Sequence, residues 1–157
     1  MEASRVTRLT VLDASALMAF LLDEPARAPV EAIMRRRPAP IISSVNLAEA
    51  IERLLRIHGR PSEHVNDRVD LLIVGGLEVQ PFWLPDARNA AAIRARYYHR
   101  DKSPISLADC ACIVTALTQH ADLATTDGAL AAAARALHIN VIPLPDSTGR
   151  PPLGGKA

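Results

Sequence analysis

The chain has 157 residues, enough for one domain with a substantial core and too few for two comfortable ones. Apolar residues make up 49% and aromatic residues only 3%, so the core must be built from Ala, Leu, Ile and Val, a composition that suits helices packed on a parallel sheet. A formal charge of +1 with a pI near 7.9 excludes a global basic field, and any contact with nucleic acid must come from local patches.

Met1 to Arg8 is polar and expected to be loose. Val11 and Leu12 end a short buried strand to which Arg8-Leu9-Thr10 can already belong, followed by a helical pattern from Ser15 to Leu22 with Asp13 at the join. Pro25 opens a second helix running to Arg37, whose basic last turn, Arg35-Arg36-Arg37, complements the helix dipole or forms a phosphate patch. Ile41 to Ser44 reads as the second strand, and the next helix covers Leu47 to His58, with Asn46 three residues before Glu49 in a loose capping-box spacing. A helix over Ser62–Val74 turns Val65, Val69, Leu72 and Ile73 inward and stops at Gly75-Gly76. The third strand alternates over Leu77–Phe82, and Pro85 opens a helix to Tyr98. At its end Arg94, Arg96, Arg100 and Lys102 interleave with Tyr97 and Tyr98. This is either a grip for an RNA backbone with stacking rings or a solvated helix end. Ser106 and Asp109 have capping-box spacing at the head of a helix running to His120 and burying Leu107, Cys110, Ile113, Val114 and Leu117. Cys110 and Cys112, two residues apart on this helix, face different ways and have no partners for a zinc site. They read as small core hydrophobes in a reduced compartment. Ala121 to Thr126 is a strand ending at Asp127, Gly128 to Leu137 an Ala-rich helix, and Ile139 to Ile142 the last strand. The domain therefore spans 1–143, and the Pro/Gly-rich segment 144–157 is expected to be a mobile tail. No stretch has the length of a membrane span and no signal-peptide pattern is evident, so a cytoplasmic protein is expected.

This alternation predicts an α/β fold: a parallel sheet of about five strands with helices on both faces. Right-handed crossovers place strand ends and helix starts at the same, carboxyl edge of the sheet, where ligands bind in such folds. Asp13, Glu49, Asp109 and Asp127 all belong to that edge. Each has an ordinary capping explanation taken singly, as Asp13 does for the first helix. Together they are expensive, because two carboxylates about 5 Å apart repel by roughly 3 kcal/mol at an effective dielectric near 20. Protons or a metal must neutralise them, and an all-oxygen set selects Mg²⁺ or Mn²⁺. A carboxylate-held divalent cation suits phosphodiester hydrolysis. Asp13, Asp109 and Asp127 are the candidate metal ligands, and Glu49 the candidate general base or positioner of the attacking water. Ser15 and Thr126 could orient these groups or simply serve as turn and cap hydroxyls.

The stretches Val11-Leu12-Asp13-Ala14-Ser15-Ala16-Leu17, Asn46-Leu47-Ala48-Glu49, Ser106-Leu107-Ala108-Asp109-Cys110 and Leu123-Ala124-Thr125-Thr126-Asp127 resemble, in order and spacing, the four acidic motifs of PIN-domain ribonucleases, specifically the VapC toxins. The resemblance spans about residues 8 to 143. It implies a PIN-like three-layer α/β/α fold and a Mg²⁺-dependent endoribonuclease that inhibits translation by cutting RNA. It further implies a cognate VapB-type antitoxin that silences the enzyme with a basic side chain, and assembly as a homodimer or with the antitoxin. By position, the family's acids fall on Asp13, Glu49, Asp109 and Asp127. The chain departs from many relatives after the last acid, where Gly128-Ala129-Leu130 stands in place of a charged residue. Two other readings compete with it: an inactive PIN-like binding module, and a haloacid-dehalogenase-like phosphatase, which would want an acid where Ser15 stands.

Overall fold

The computed structural model describes residues 8–151; all but Arg8 of the loose start expected at residues 1–8, and the last part of the expected tail, 152–157, lie outside them. In chain order the elements are β1 (Thr10–Leu12), α1 (Ala14–Leu21), α2 (Arg27–Met34), β2 (Ile41–Ser43), α3 (Ser44–Arg56), α4 (Ser62–Val74), β3 (Glu78–Gln80), α5 (Leu84–Tyr97), α6 (Leu107–Thr118), β4 (Asp122–Thr125), α7 (Gly128–Ala136) and β5 (Val141–Pro143). The five strands form one wholly parallel sheet in the order β3-β2-β1-β4-β5.

Strands this short hold because both faces are covered. Successive side chains of a strand point to opposite faces, and the core divides accordingly. Leu12, Ile42 and Ala124 pack with α1 to α4, while Val11, Ile41 and Leu123 pack with α5 to α7. The sheet is therefore the middle of three layers, and its central strands read as unbroken apolar runs because neither face meets water. Cys110 and Cys112 are buried and free, and burial raises both thiols, Cys110 to about 11, so they stay protonated as expected of core hydrophobes. Among the described residues no helix is long and apolar enough to cross a membrane.

The chain order makes β1/β4 the switch point: from β1 the chain builds outward through β2 and β3, then returns to the other side with β4 and β5. Leu12 pairs with Ala124, and the Asp13 amide donates to the Ala124 carbonyl at 3.3 Å. The crevice beyond the carboxyl ends of two such diverging strands is open by construction.

Several boundaries differ from the sequence reading. The α2 helix ends at Met34, leaving Arg35 to Arg37 beyond it, with Arg35 paired to Glu31 at 2.6 Å. The α3 helix starts three residues early because the Ser43 hydroxyl accepts from the Val45 and Asn46 amides, each at 3.2 Å. Asn46 consequently makes no capping box with Glu49, which sits in the second turn. On α4 only Val65 and Val69 are fully buried and Ile73 is exposed. On α6, Leu107 (59% exposed) and Leu117 (41%) face outward, because α5 and the sheet cover the opposite side of the helix. Leu144 is buried in the core and donates its amide to the Thr125 carbonyl at 2.9 Å, so the folded unit runs past the expected boundary at 143.

This packing predicts that Ile113→Ala, at a wholly buried position of α6, costs about 2–5 kcal/mol by leaving a cavity. Leu107→Ala on the same helix should fall within about 0.5 kcal/mol of the parent. Urea midpoints at unchanged slope check both.

Candidate active site at the carboxyl edge

Asp13 follows β1 directly and is 4% exposed. It caps α1, with Oδ1 accepting from the Ala16 amide at 2.8 Å. The Ser15 hydroxyl donates within 2.8 Å of both carboxylate oxygens, and the Thr125 hydroxyl donates to Oδ2 at 2.6 Å. Asp109 completes a reciprocal capping box with Ser106, its Oδ2 accepting from the Ser106 amide at 2.7 Å while Ser106 Oγ accepts from the Asp109 amide at 3.0 Å. Asp127 caps α7 through Oδ1, which accepts from the amides of Ala129 and Leu130 at 2.8 and 3.1 Å. Glu49, free of any cap, faces Arg53 at 3.8 Å.

These four acids, drawn from four separate segments, line one pocket together with Ser15, Arg53 and Ser106. Asn46 braces it from behind: its buried side-chain amide donates to the Ala108 carbonyl at 2.9 Å and locks the start of α3, which carries Glu49, to the start of α6, which carries Asp109.

The electrostatics follow from the crowding. Burial pushes the Asp13 carboxyl up from 3.8 to about 6, against the hydrogen bonds from Thr125, Ala16 and Ser15, and the charge of Asp109 adds to the rise. Glu49 is raised by burial and then by Asp109, with Arg53 opposing and Asp127 reinforcing. Asp109 is likewise raised by burial and by Asp127, with the Ser106 bonds and Arg53 opposing. The carboxylates thus oppose one another's ionisation, the condition that a bound cation relieves.

The donor set fits a hard divalent cation in kind: it is all oxygen and anionic, with Asp109 Oδ1 and Asp127 Oδ2 outside the cap bonds. In the present side-chain positions, however, no three Asp, Glu, His or Cys groups among the described residues stand close enough together to hold an ion. The expected trio Asp13, Asp109 and Asp127 shares a pocket without closing a coordination shell, because each is drawn to the amides at the head of its own helix.

A sequence model of the PIN-domain family matches residues 10–136. The chain belongs to the PIN-domain family. Solved structures of similar fold include VapC20 of Mycobacterium tuberculosis, described as a sarcin–ricin loop cleaving toxin. It is 17% identical over 79% of this chain and 94% of its own, with a TM-score of 0.63. FitAcB of Neisseria gonorrhoeae is 23% identical over 85% of this chain and 96% of its own, at 0.64. DNA-bound VapBC of Salmonella typhimurium is 19% identical over 87% and 98%, also at 0.64. No curated protein sequence matches the chain. At these identities the likeness to solved structures concerns the fold, which in this PIN domain brings all four motif acids to one pocket.

Of the auxiliary residues, Ser15 lines the pocket, whereas Thr126 lines the two cavities beside it and touches the site through its amide, which donates to Ser15 Oγ at 3.2 Å. The hydroxyl that reaches Asp13 belongs to Thr125, which also accepts from the Asp127 amide at 2.9 Å. Its signal was available in the register: Thr125 is the β4 residue following Ala124, the partner of Leu12, so it lies beside Asp13. Arg53 was also missed, and its signal is the four-residue spacing from Glu49 along a helix. The basic stretch that begins in the last turn of α5 reaches the rim, where Arg94 Nε donates to the Ile105 carbonyl at 3.1 Å, one residue before Ser106. Two of its cations are already stacked within the stretch, Arg94 over Tyr98 at 4.3 Å and Arg96 over Tyr97 at 5.5 Å, while Arg100 and Lys102 stand exposed.

Because the folded state holds the Asp13 proton more tightly than an unfolded chain would, it binds more protons between pH 3.8 and about 6. The resulting stabilisation, about 3 kcal/mol, is fully present below that window and lost as pH rises through it. Asp13→Asn should therefore be the more stable protein at pH 7, with its advantage closing towards pH 4, as read by urea unfolding across that range.

Proposed function

We propose that this PIN-domain protein is a divalent-metal-dependent endoribonuclease, using Mg²⁺ or Mn²⁺, and the toxin half of a cytoplasmic toxin–antitoxin pair. It would inhibit translation by cutting RNA until an antitoxin silences it. The observation that carries the reading is the convergence of Asp13, Glu49, Asp109 and Asp127, remote in sequence, on one pocket at the sheet's switch point.

In this reading Asp13, Asp109 and Asp127 hold the ion, which when bound supplies the Lewis acidity for phosphodiester hydrolysis. Thr125 and Ser15 fix the Asp13 carboxylate through their hydroxyls, while Asp109 and Asp127 each keep one oxygen outside their cap bonds. Glu49 has no cap to leave. Raised above the ordinary carboxylate value by burial and by Asp109, it is placed to accept a proton from the attacking water at its carboxylate. The N-termini of α1, α6 and α7 add positive potential for an incoming phosphate. Arg94, Arg96, Arg100 and Lys102 at the rim supply contacts to the RNA backbone.

For a VapB-type antitoxin we read the cleft between α1, α3 and α4 as the docking place, lined by Leu21, Leu22, Leu54, Arg60, His64, Val65 and Arg68. Its aliphatic residues Leu21 and Leu22 stand beside the basic Arg60, His64 and Arg68, the mixed character that an amphipathic helix would meet. Homologous folds occur in VapBC complexes, and we read this chain as entering a homodimer or such a hetero-oligomer.

A competing reading, an inactive PIN-like binding module, draws on the cap bonds that keep the acids apart. Incubating the purified protein with RNA, with Mg²⁺ or Mn²⁺ and then with excess chelator, separates the two. The nuclease reading expects cleavage that chelator abolishes and that Glu49→Gln lowers by about 10²–10⁴-fold in kcat. Cleavage indifferent to chelator, or its absence from metal-loaded protein, would reject it.

A further inference from the structure

Arg53 is the single basic side chain among those lining the acidic pocket. It lies one helical turn beyond Glu49 on α3 and pairs with it at 3.8 Å, too far for a hydrogen bond. Its guanidinium makes no hydrogen bond among the described residues, and its side chain is 43% exposed. Neighbouring arginines differ: Arg56 is hydrogen-bonded to Glu52 on the same helix, and Arg94 is tied to the Ile105 carbonyl and the Tyr98 ring. Five donors in a planar fork, ion-paired but free of hydrogen bonds at the mouth of an anionic pocket, match the oxygens of a phosphodiester.

Position adds direction. Arg53 and Ser15 also line an adjoining cavity that continues past His58, Thr126 and Ser147. They form the doorway between the place where the acids gather and a cleft open to a polymer. Glu24 and Asp146 line that cavity too, so it is no broad basic groove, although Asp146 is occupied in accepting from the amides of Thr148 and Arg150. A strand crossing it would therefore depend on one cation.

We propose that Arg53 grips the phosphate adjoining the one that is cut and so directs single-stranded RNA from the acidic pocket into this cavity. The proposal rests on the nuclease reading above and assigns the residue that offsets the repulsion between the acids and the strand.

The test is binding of a fluorescent single-stranded RNA by anisotropy in a cleavage-blocked Asp13→Asn background, over a range of salt, with Arg53→Ala and Arg53→Lys added. Arg53→Ala should weaken binding about 10-fold and flatten the slope of log K against log salt by about 0.7, the loss of one phosphate contact on a single strand. Arg53→Lys should keep the slope while recovering only part of the affinity, because the charge remains and the fork does not. If the protein with Asp13 restored cleaves RNA but Arg53→Ala binds with unchanged affinity and slope, this inference falls and the nuclease reading stands. A shifted pH profile of cleavage with unchanged RNA binding would likewise overturn it, by showing that Arg53 acts only on Glu49. If that protein cleaves no RNA under any divalent ion, both fall together.

Discussion

A carboxylate buried at the switch point of the sheet is the constraint around which this molecule is arranged. Asp13 is shielded from solvent, and removing a charged group from water is tolerable only if other dipoles replace the water. Here the replacements come from three directions: the Ala16 amide at the head of α1, the Ser15 hydroxyl, and the Thr125 hydroxyl from the neighbouring strand. The last contact links segments 112 positions apart, so the environment of Asp13 exists only when β1 and β4 are correctly paired. Even so, its carboxyl rises to about 6, which means that the dipoles compensate burial incompletely.

That deficit extends across the pocket. Asp109 and Asp127 sit in the first turns or caps of α6 and α7, and the amides that stabilise them locally also hold them from closing on a common centre. Two demands therefore act on the same side chains. Capping stabilises each helix by roughly 1 kcal/mol, whereas a divalent ion would reward convergence through much larger charge neutralisation. Glu49 escapes this competition because Ser43 caps its helix instead.

The same edge gathers the other features suited to a polyanion. The end of α5 is tied to the residue before the α6 cap, bringing Arg94 and its neighbours to the rim, and α3 turns Arg53 into the pocket mouth. Asn46 holds α3 to α6 through a single buried hydrogen bond, so the spacing between the Glu49 and Asp109 segments is set by the packing of two helix starts on β1 and β2. The cleft of α1, α3 and α4 shares α3 with the acidic pocket, through Leu54 on one side and Glu49 and Arg53 on the other.

Much of this was legible in the sequence, for a definite reason. Strand and helix alternation, the apolar runs of Val11-Leu12 and Ile41-Ile42, and the Ser106–Asp109 capping box are local patterns whose physics operates within a few residues. Parallel topology then follows from handedness, and with it the edge on which the four acids fall. What escaped were features that depend on neighbours distant in the chain. Leu107 and Leu117 satisfy a helical apolar pattern yet face outward, because only packing decides which side of α6 meets α5 and the sheet. Thr125 rather than Thr126 supports Asp13, since strand register chooses which hydroxyl faces the crevice. Fold class and the shared edge of the acids follow from the order of residues, because periodicity and crossover handedness are properties of the chain. Tertiary structure alone decided which donors hold each carboxylate, which arginine stands at the doorway and where the core ends, because these depend on distances between segments that sequence spacing does not specify.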